Sequence, residues 1–217
     1  MAITHRGRRA ILALLFVLFV APGGLVVAPV LAQDDPAGTI VRLKGAAVAM
    51  QDAIPRPLAV GDTVRRGDVI STGPGARIEI RMLDDAVMTL GERTVFVVID
   101  YVAKGAQPNA AMRLLEGAFN AVSGEMMKTA DATLTIETET ATIGIRGTTF
   151  WGGKLDGVFQ IALLAGREIV VENKAGRVVI DTVGDGTQVR SADRPPTPPK
   201  AWGASKIDRA RATVAFD

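Results

Sequence analysis

Carboxylates, lysines and a single tyrosine, Tyr101, are what this sequence offers for chemistry once its leader is set aside. Its only histidine is His5, inside that leader, and it has no cysteine. Ser-His triads, thiol nucleophiles, thiolate metal sites and disulfides are therefore excluded, together with the commonest metal ligand and lipid attachment at a cysteine. The adjacent pair Asp84-Asp85 has the composition of a glycosidase or cation site, although neighbouring carboxylates on a hairpin tip usually diverge. Gly61-Asp62 and Gly67-Asp68 invite a calcium reading, yet the D-x-D-x-D spacing of a calcium loop is missing, and glycine with aspartate is ordinary turn composition. Trp151, beside Phe150, could stack on a sugar ring or serve as a core aromatic. No cofactor and no metal are expected.

The leader comprises residues 1–32. Arg6, Arg8 and Arg9 form its charged start, Ile11 to Ala21 its apolar stretch, and Val30-Leu31-Ala32 a small-residue cleavage site, which predicts a mature chain beginning at Gln33 in the periplasm or outside the cell. The other reading is a retained anchor, since apolar residues continue to Leu31, but Pro22-Gly23-Gly24 interrupts the run. The whole sequence holds 25 basic and 23 acidic residues. Cleavage takes three arginines and leaves 22 basic residues against 23 acidic, a net charge near −1. The precursor's pI of 9.1 thus owes much to the leader, and the mature chain has no electrostatic case for binding nucleic acid. No membrane anchor is expected to remain.

Elements that could position these residues are short and extended. Ile78, Ile80 and Met82 alternate with Arg77, Glu79 and Arg81, which is the period of a strand with one buried and one wet face. Val87 to Leu90 and Val95 to Val102 read as further strands, whereas Ile54 to Ala59, with two prolines, can only be an edge. The stretch MRLLEGAFNAV from Met112 could be helical by propensity. Its Leu-Leu-x-Gly pattern recurs at Leu163 to Gly166, and the echo favours strand, glycine turn, strand in both places. At least ten short strands with glycine turns indicate an all-β antiparallel sandwich or barrel over residues 33–192. Residues 193–217 read as a stiff Pro-rich linker and a short helical tail, opened by a capping box at Ser205-Lys206-Ile207-Asp208. Ile207 and Val214 lie on its narrow apolar stripe, too small to hold a helix alone, so the helix must either fold back onto the sandwich or stay frayed until a partner supplies a groove. The stiff spacer favours the second, which makes Trp202, Ile207 and Val214 candidate binding residues alongside Trp151.

The organising stretch is ETETATIGIRGTTFWGG, Glu137 to Gly153. Apolar residues change phase between Ile136 and Ala141, which requires a turn or bulge near Glu139. Gly144, Arg146, Gly147, Thr148 and Phe150 follow, and an arginine between two glycines on a strand suggests a guanidinium hydrogen-bonded inside the structure.

This stretch, with Gly61-Asp62, the segment Gly67 to Gly73 and Thr89-Leu90-Gly91, resembles the FecR family, the periplasmic domain of regulators that sense ferric-siderophore transport. The resemblance spans roughly Gly38 to Gln188. It implies a jelly-roll-like sandwich that binds an envelope protein or polymer, and a structural role for the five motif residues. Transmembrane regulators of that family add a cytoplasmic region that controls a sigma factor, which is not expected ahead of this leader. The competing reading is a carbohydrate-active enzyme using Asp or Glu on a sandwich. Binding is favoured, because no carboxylate pair stands above the turn background.

Overall fold

In the computed structural model, the described residues are 35–105 and 107–216; the leader and its cleavage site lie outside them. Sixteen strands and two short helices make up these residues. The strands are β1 (Pro36–Lys44), β2 (Ala47–Gln51), β3 (Ile54–Pro57), β4 (Thr63–Arg65), β5 (Val69–Thr72), β6 (Arg77–Met82), β7 (Val87–Leu90) and β8 (Val95–Val102). They continue as β9 (Asn109–Glu116), β10 (Ala118–Val122), β11 (Thr133–Glu137), β12 (Thr142–Leu155), β13 (Val158–Asn173), β14 (Gly176–Ile180), β15 (Asp185–Val189) and β16 (Lys200–Ala201). A 3-10 turn at Glu125–Lys128 precedes β11, and one α-helix, α1 (Ala204–Ala212), follows β16.

All sixteen strands belong to one hydrogen-bonded sheet that folds over on itself. Its fold line is the long ribbon of β12 and β13. The first half of β12 pairs with β11, in the layer β3-β2-β5-β8-β9-β11. Its second half pairs with β10, in the layer β10-β7-β6-β1-β4. β13 changes layers with it, joining β15 by its first half and β14 by its second. We call the layer holding β11 and β14 the open layer and the one holding β10 and β15 the covered layer.

Inward-facing residues of both layers form one core, in which Phe96 of the open layer meets Phe119 of the covered layer at 6.0 Å between ring centroids. Phe150 stands edge-on to Phe119 at 5.4 Å. The phase change read from the sequence is the β11–β12 hairpin, closed by Thr138, whose hydroxyl accepts from the Ala141 amide at 3.0 Å. β3 is the expected edge strand, paired with β2 alone.

The structure corrects three details of the expected architecture. β12 and β13, at 14 and 16 residues, are not short. The second Leu-Leu-x-Gly copy does not turn the chain: β13 runs through Gly166, because glycine at φ +100 lets the strand bend and change layers without ending. β9 and β11 pair in parallel, since the chain between them crosses to the covered layer as β10 and returns to the open layer through the 3-10 turn.

Candidate functional site

Ile143 and Ile145 take the inward phase of β12, so Gly144 and Arg146 must face out of the open layer. At Gly147 the backbone adopts φ +59, beside Gly166 on β13, and both strands cross from one layer to the other there. A side chain in that left-handed region costs roughly 1–2 kcal/mol. The Thr148 carbonyl accepts from the Ser123 amide and hydroxyl at 3.0 and 3.1 Å, which ties the corner to the end of β10. Thr148 and Phe150 are buried. Arg146 departs from the expectation of an internally bonded guanidinium. It is exposed and has no hydrogen bond or ion pair among the described residues, because the strand's phase sends it outward.

Around Arg146 the open layer presents a shaped surface. Ala111, Thr135, Gly144, Val170 and Val179 stand in one row of register partners across five strands. The row extends over four strand spacings, about 19 Å at ~4.8 Å each. Its members are small or β-branched, and Gly144 adds no side chain, so the row forms the floor of a trough. One wall carries Arg113, Glu137, Glu172 and Arg177; the other carries Arg146 opposite Glu168. Arg113 is held by Glu137, its Nε donating at 2.9 Å.

This trough opens into a cleft of about 420 Å³. Ala132 and Arg146 also line a second cleft, of about 630 Å³, at the layer corner. The charged groups lining the second are Lys128, Arg146 and Arg167, and none of its lining residues is acidic. Lys128 is paired with Glu125 at 2.6 Å. Arg146 and Arg167 have no such partner among the described residues.

The acidic candidates serve the fold. Asp84 is buried; one oxygen accepts from the Tyr101 hydroxyl and, at 3.2 Å, from the Ala86 amide, and the other accepts from the Met126 amide at 3.1 Å. Burial, reinforced by the Asp84 carboxylate, pushes the Tyr101 phenol well above its ordinary range. Asp85 occupies the turn at φ +63. Asp62 accepts from the Ala59 amide at 2.8 Å, and Asp68 from the Arg65 amide at 2.9 Å and the Arg56 guanidinium at 2.8 Å. Among the described residues, no three carboxylate or histidine ligands converge.

Trp151 faces the opposite way from Phe150, out of the covered layer, and is nonetheless fully buried. Its cover is the C-terminal tail, which corrects the expectation of a frayed helix. Trp202 packs T-shaped on Trp151 at 6.0 Å between centroids, and Trp151 Nε1 donates to the Thr213 hydroxyl at 2.9 Å. Ala210, Val214 and the partly buried Ile207 complete a second, smaller core. Gly186 makes the docking possible: a Cβ there would lie 2.5 Å from the Trp202 indole. The Thr213 carbonyl sits equally close over Gly91. β16 adds two residues to the edge of β15, so the Pro-rich segment returns the chain to the sheet instead of holding it away. The helix starts from Gly203 with no side-chain cap, so the capping box does not form. Trp151, Trp202, Ile207 and Val214 thus satisfy one another. Arg146, Arg167 and the trough lie on the other layer, where sequence reasoning placed only Arg146 and Gly144; the signal for the rest was the alternation of Thr133, Thr135, Val170 and Arg177 on the outward phase.

Residues 68–167 match the family described as FecR protein, which bears out the resemblance read from the sequence. The match ends at Arg167, so it takes in the whole layer-crossing corner. Two crystal structures of a candidate anti-sigma factor from Parabacteroides distasonis share the fold, each at a TM-score of 0.51 and 15% identity, covering 64% of this chain. The chain covers 61% of that protein. No curated protein matches the sequence. No helix among the described residues is long and apolar enough to cross a membrane.

Proposed function

We propose that this chain, with its FecR-type segment at residues 68–167, is a non-enzymatic binding and signalling module of the bacterial cell envelope that recognises a protein partner through the open layer. One observation carries the reading: the two outer faces are treated differently. The covered layer spends its outward tryptophan on the chain's own tail, whereas the open layer leaves a trough and two unpartnered arginines facing solvent, both arginines belonging to the family-matching segment. The two buried aspartates, Asp68 and Asp84, are engaged by backbone amides and by Arg56 and Tyr101, and among the described residues no three carboxylates converge, so the geometry favours binding over catalysis.

Export completes the proposal: the leader is removed after Ala32, and the domain works from Gln33 onward in the periplasm. The intact mass of protein recovered from the periplasm should correspond to a chain starting there; full-length protein in the membrane fraction would contradict it. For recognition, a photo-crosslinking amino acid placed at Thr135 or Val179, in cells of the source organism, should give one discrete protein adduct. The same group at Lys206 on the tail should give none. Adducts at Lys206 but not on the open layer would overturn the assignment of the face.

A further inference from the structure

Building on that reading, we infer that the corner at Arg146 and Arg167 is a carboxylate-binding site, and that the partner presents an extended segment with an acidic end seated there and small apolar residues laid along the trough.

Three features specify this ligand. First, Arg146 and Arg167 flank the glycine corner on paired strands, one register step apart, and both point into solvent without an acidic partner among the described residues. Both arginines line the same corner cleft, whose lining has no acidic residue, so an anion seated there can accept forked, charge-assisted hydrogen bonds from them. Secondly, the cationic character is local. Glu168 stands opposite Arg146, and on the far wall of the trough Glu137 and Glu172 are balanced by their register partners Arg113 and Arg177. A long polyanion would gain at the corner and gain nothing along a trough whose charges are already balanced, so the complementary ligand is anionic at one end only. Thirdly, the floor from Gly144 through Val170 to Val179 is small and partly apolar, with Val179 41% exposed. It crosses three strands, about 10 Å at ~4.8 Å per spacing, which suits an extended chain of about three residues at ~3.3 Å each. A protein segment meets all three requirements together.

The test uses the full-length chain and a fluorescent decapeptide with two glutamates at one end followed by alternating valine and serine. Its twin replaces both glutamates with glutamine. Anisotropy should give an affinity for the acidic peptide about tenfold above that for the twin, the ratio that loss of one charge-assisted hydrogen bond produces. Arg146→Glu should abolish that difference. Arg167→Glu is the second variant, and reads the same corner should Arg146→Glu fold poorly. Val179→Lys should weaken the decapeptide and leave a bare diglutamate probe unchanged, while Arg81→Glu, on the covered layer, should change neither. Equal binding of both peptides, or an unchanged affinity in both corner variants, would overturn the site. So would tripolyphosphate that binds more tightly than the decapeptide and depends on Arg146, because it would assign the corner to a phosphate polyanion. A crosslinked adduct on the open layer with an indifferent decapeptide would sink the carboxylate assignment and leave the protein-binding reading standing; absence of both would remove the two together.

Discussion

Arg146 and Trp151 belong to one strand and both face outward, yet one stands in solvent and the other is among the most deeply buried side chains of the molecule. The corner at Gly147 separates them. Before it β12 lies in the open layer, whose outer face has no further described element upon it; beyond it β12 lies in the covered layer, under α1. Outward phase therefore does not mean exposure. What decides exposure is whether the chain supplies a second layer of apolar groups, and here the last few turns of chain supply it on one side only.

That contrast predicts a steep gradient of mutational effects along β12. The largest should come from Trp151→Ala, which empties the centre of the small core and leaves the Thr213 hydroxyl without its donor. Truncating a buried tryptophan costs about 3–5 kcal/mol. For a domain of this size that lowers the melting temperature by roughly 10 °C or more. A melt within a few degrees of the parent would mean the small core is not a cohesive unit.

Ending the chain at Ala192 should be the next most severe. It uncovers Trp151 and removes Trp202, while releasing the entropy of ordering the tail, for a net loss of about 2–3 kcal/mol. Gly186→Val should reproduce part of this loss in the full chain by driving the Trp202 ring off the sheet. If the truncated protein melts with the parent, the two outer faces are equivalent in stability and the contrast fails.

The link between the layers gives a smaller, pH-dependent effect. Tyr101 on β8 reaches Asp84 at the β6–β7 turn, and burial raises its phenol above the usual value of 10.0. The unfolded tyrosine loses its proton near pH 10 and the folded one only higher, so stability is complete below about pH 10 and falls as pH rises beyond it. Tyr101→Phe should flatten that alkaline decline and cost about 1–2 kcal/mol at neutral pH through the lost hydrogen bond. An unaltered alkaline slope, read by denaturant midpoints from pH 9 to about 11, would exclude Tyr101 as its source.

Arg146→Ala completes the gradient. An exposed side chain without partners should change stability by no more than about 0.5 kcal/mol. A large drop in the melting temperature would give Arg146 the structural role that its place between two glycines suggested.

Much of this protein is determined locally, and local patterns are what a sequence displays. Alternation from Arg77 to Met82 fixes a half-buried strand whatever surrounds it. The glycine-aspartate pairs announce turns because few other residues relax into those conformations, and Asp85 shows the same chemistry in a residue that tolerates it. The motif around Arg146 was equally visible, as was its resemblance to FecR domains. Other features depended on which outer face the chain would cover, and tertiary structure alone decided those. Nothing in the run Thr148-Thr149-Phe150-Trp151 says that Trp151 will be roofed by residues some fifty positions later, because a period of two distinguishes inward from outward and not outward from exposed. Nor does the Pro-rich segment say whether it separates the helix from the domain or returns it. That depended on whether β15 offered a free edge for Lys200–Ala201 and on whether Gly186 and Gly91 left room above the sheet. The bare trough has the same origin: its floor is assembled from five strands, whose neighbours in space are distant in the chain, so its shape existed only once the register was set.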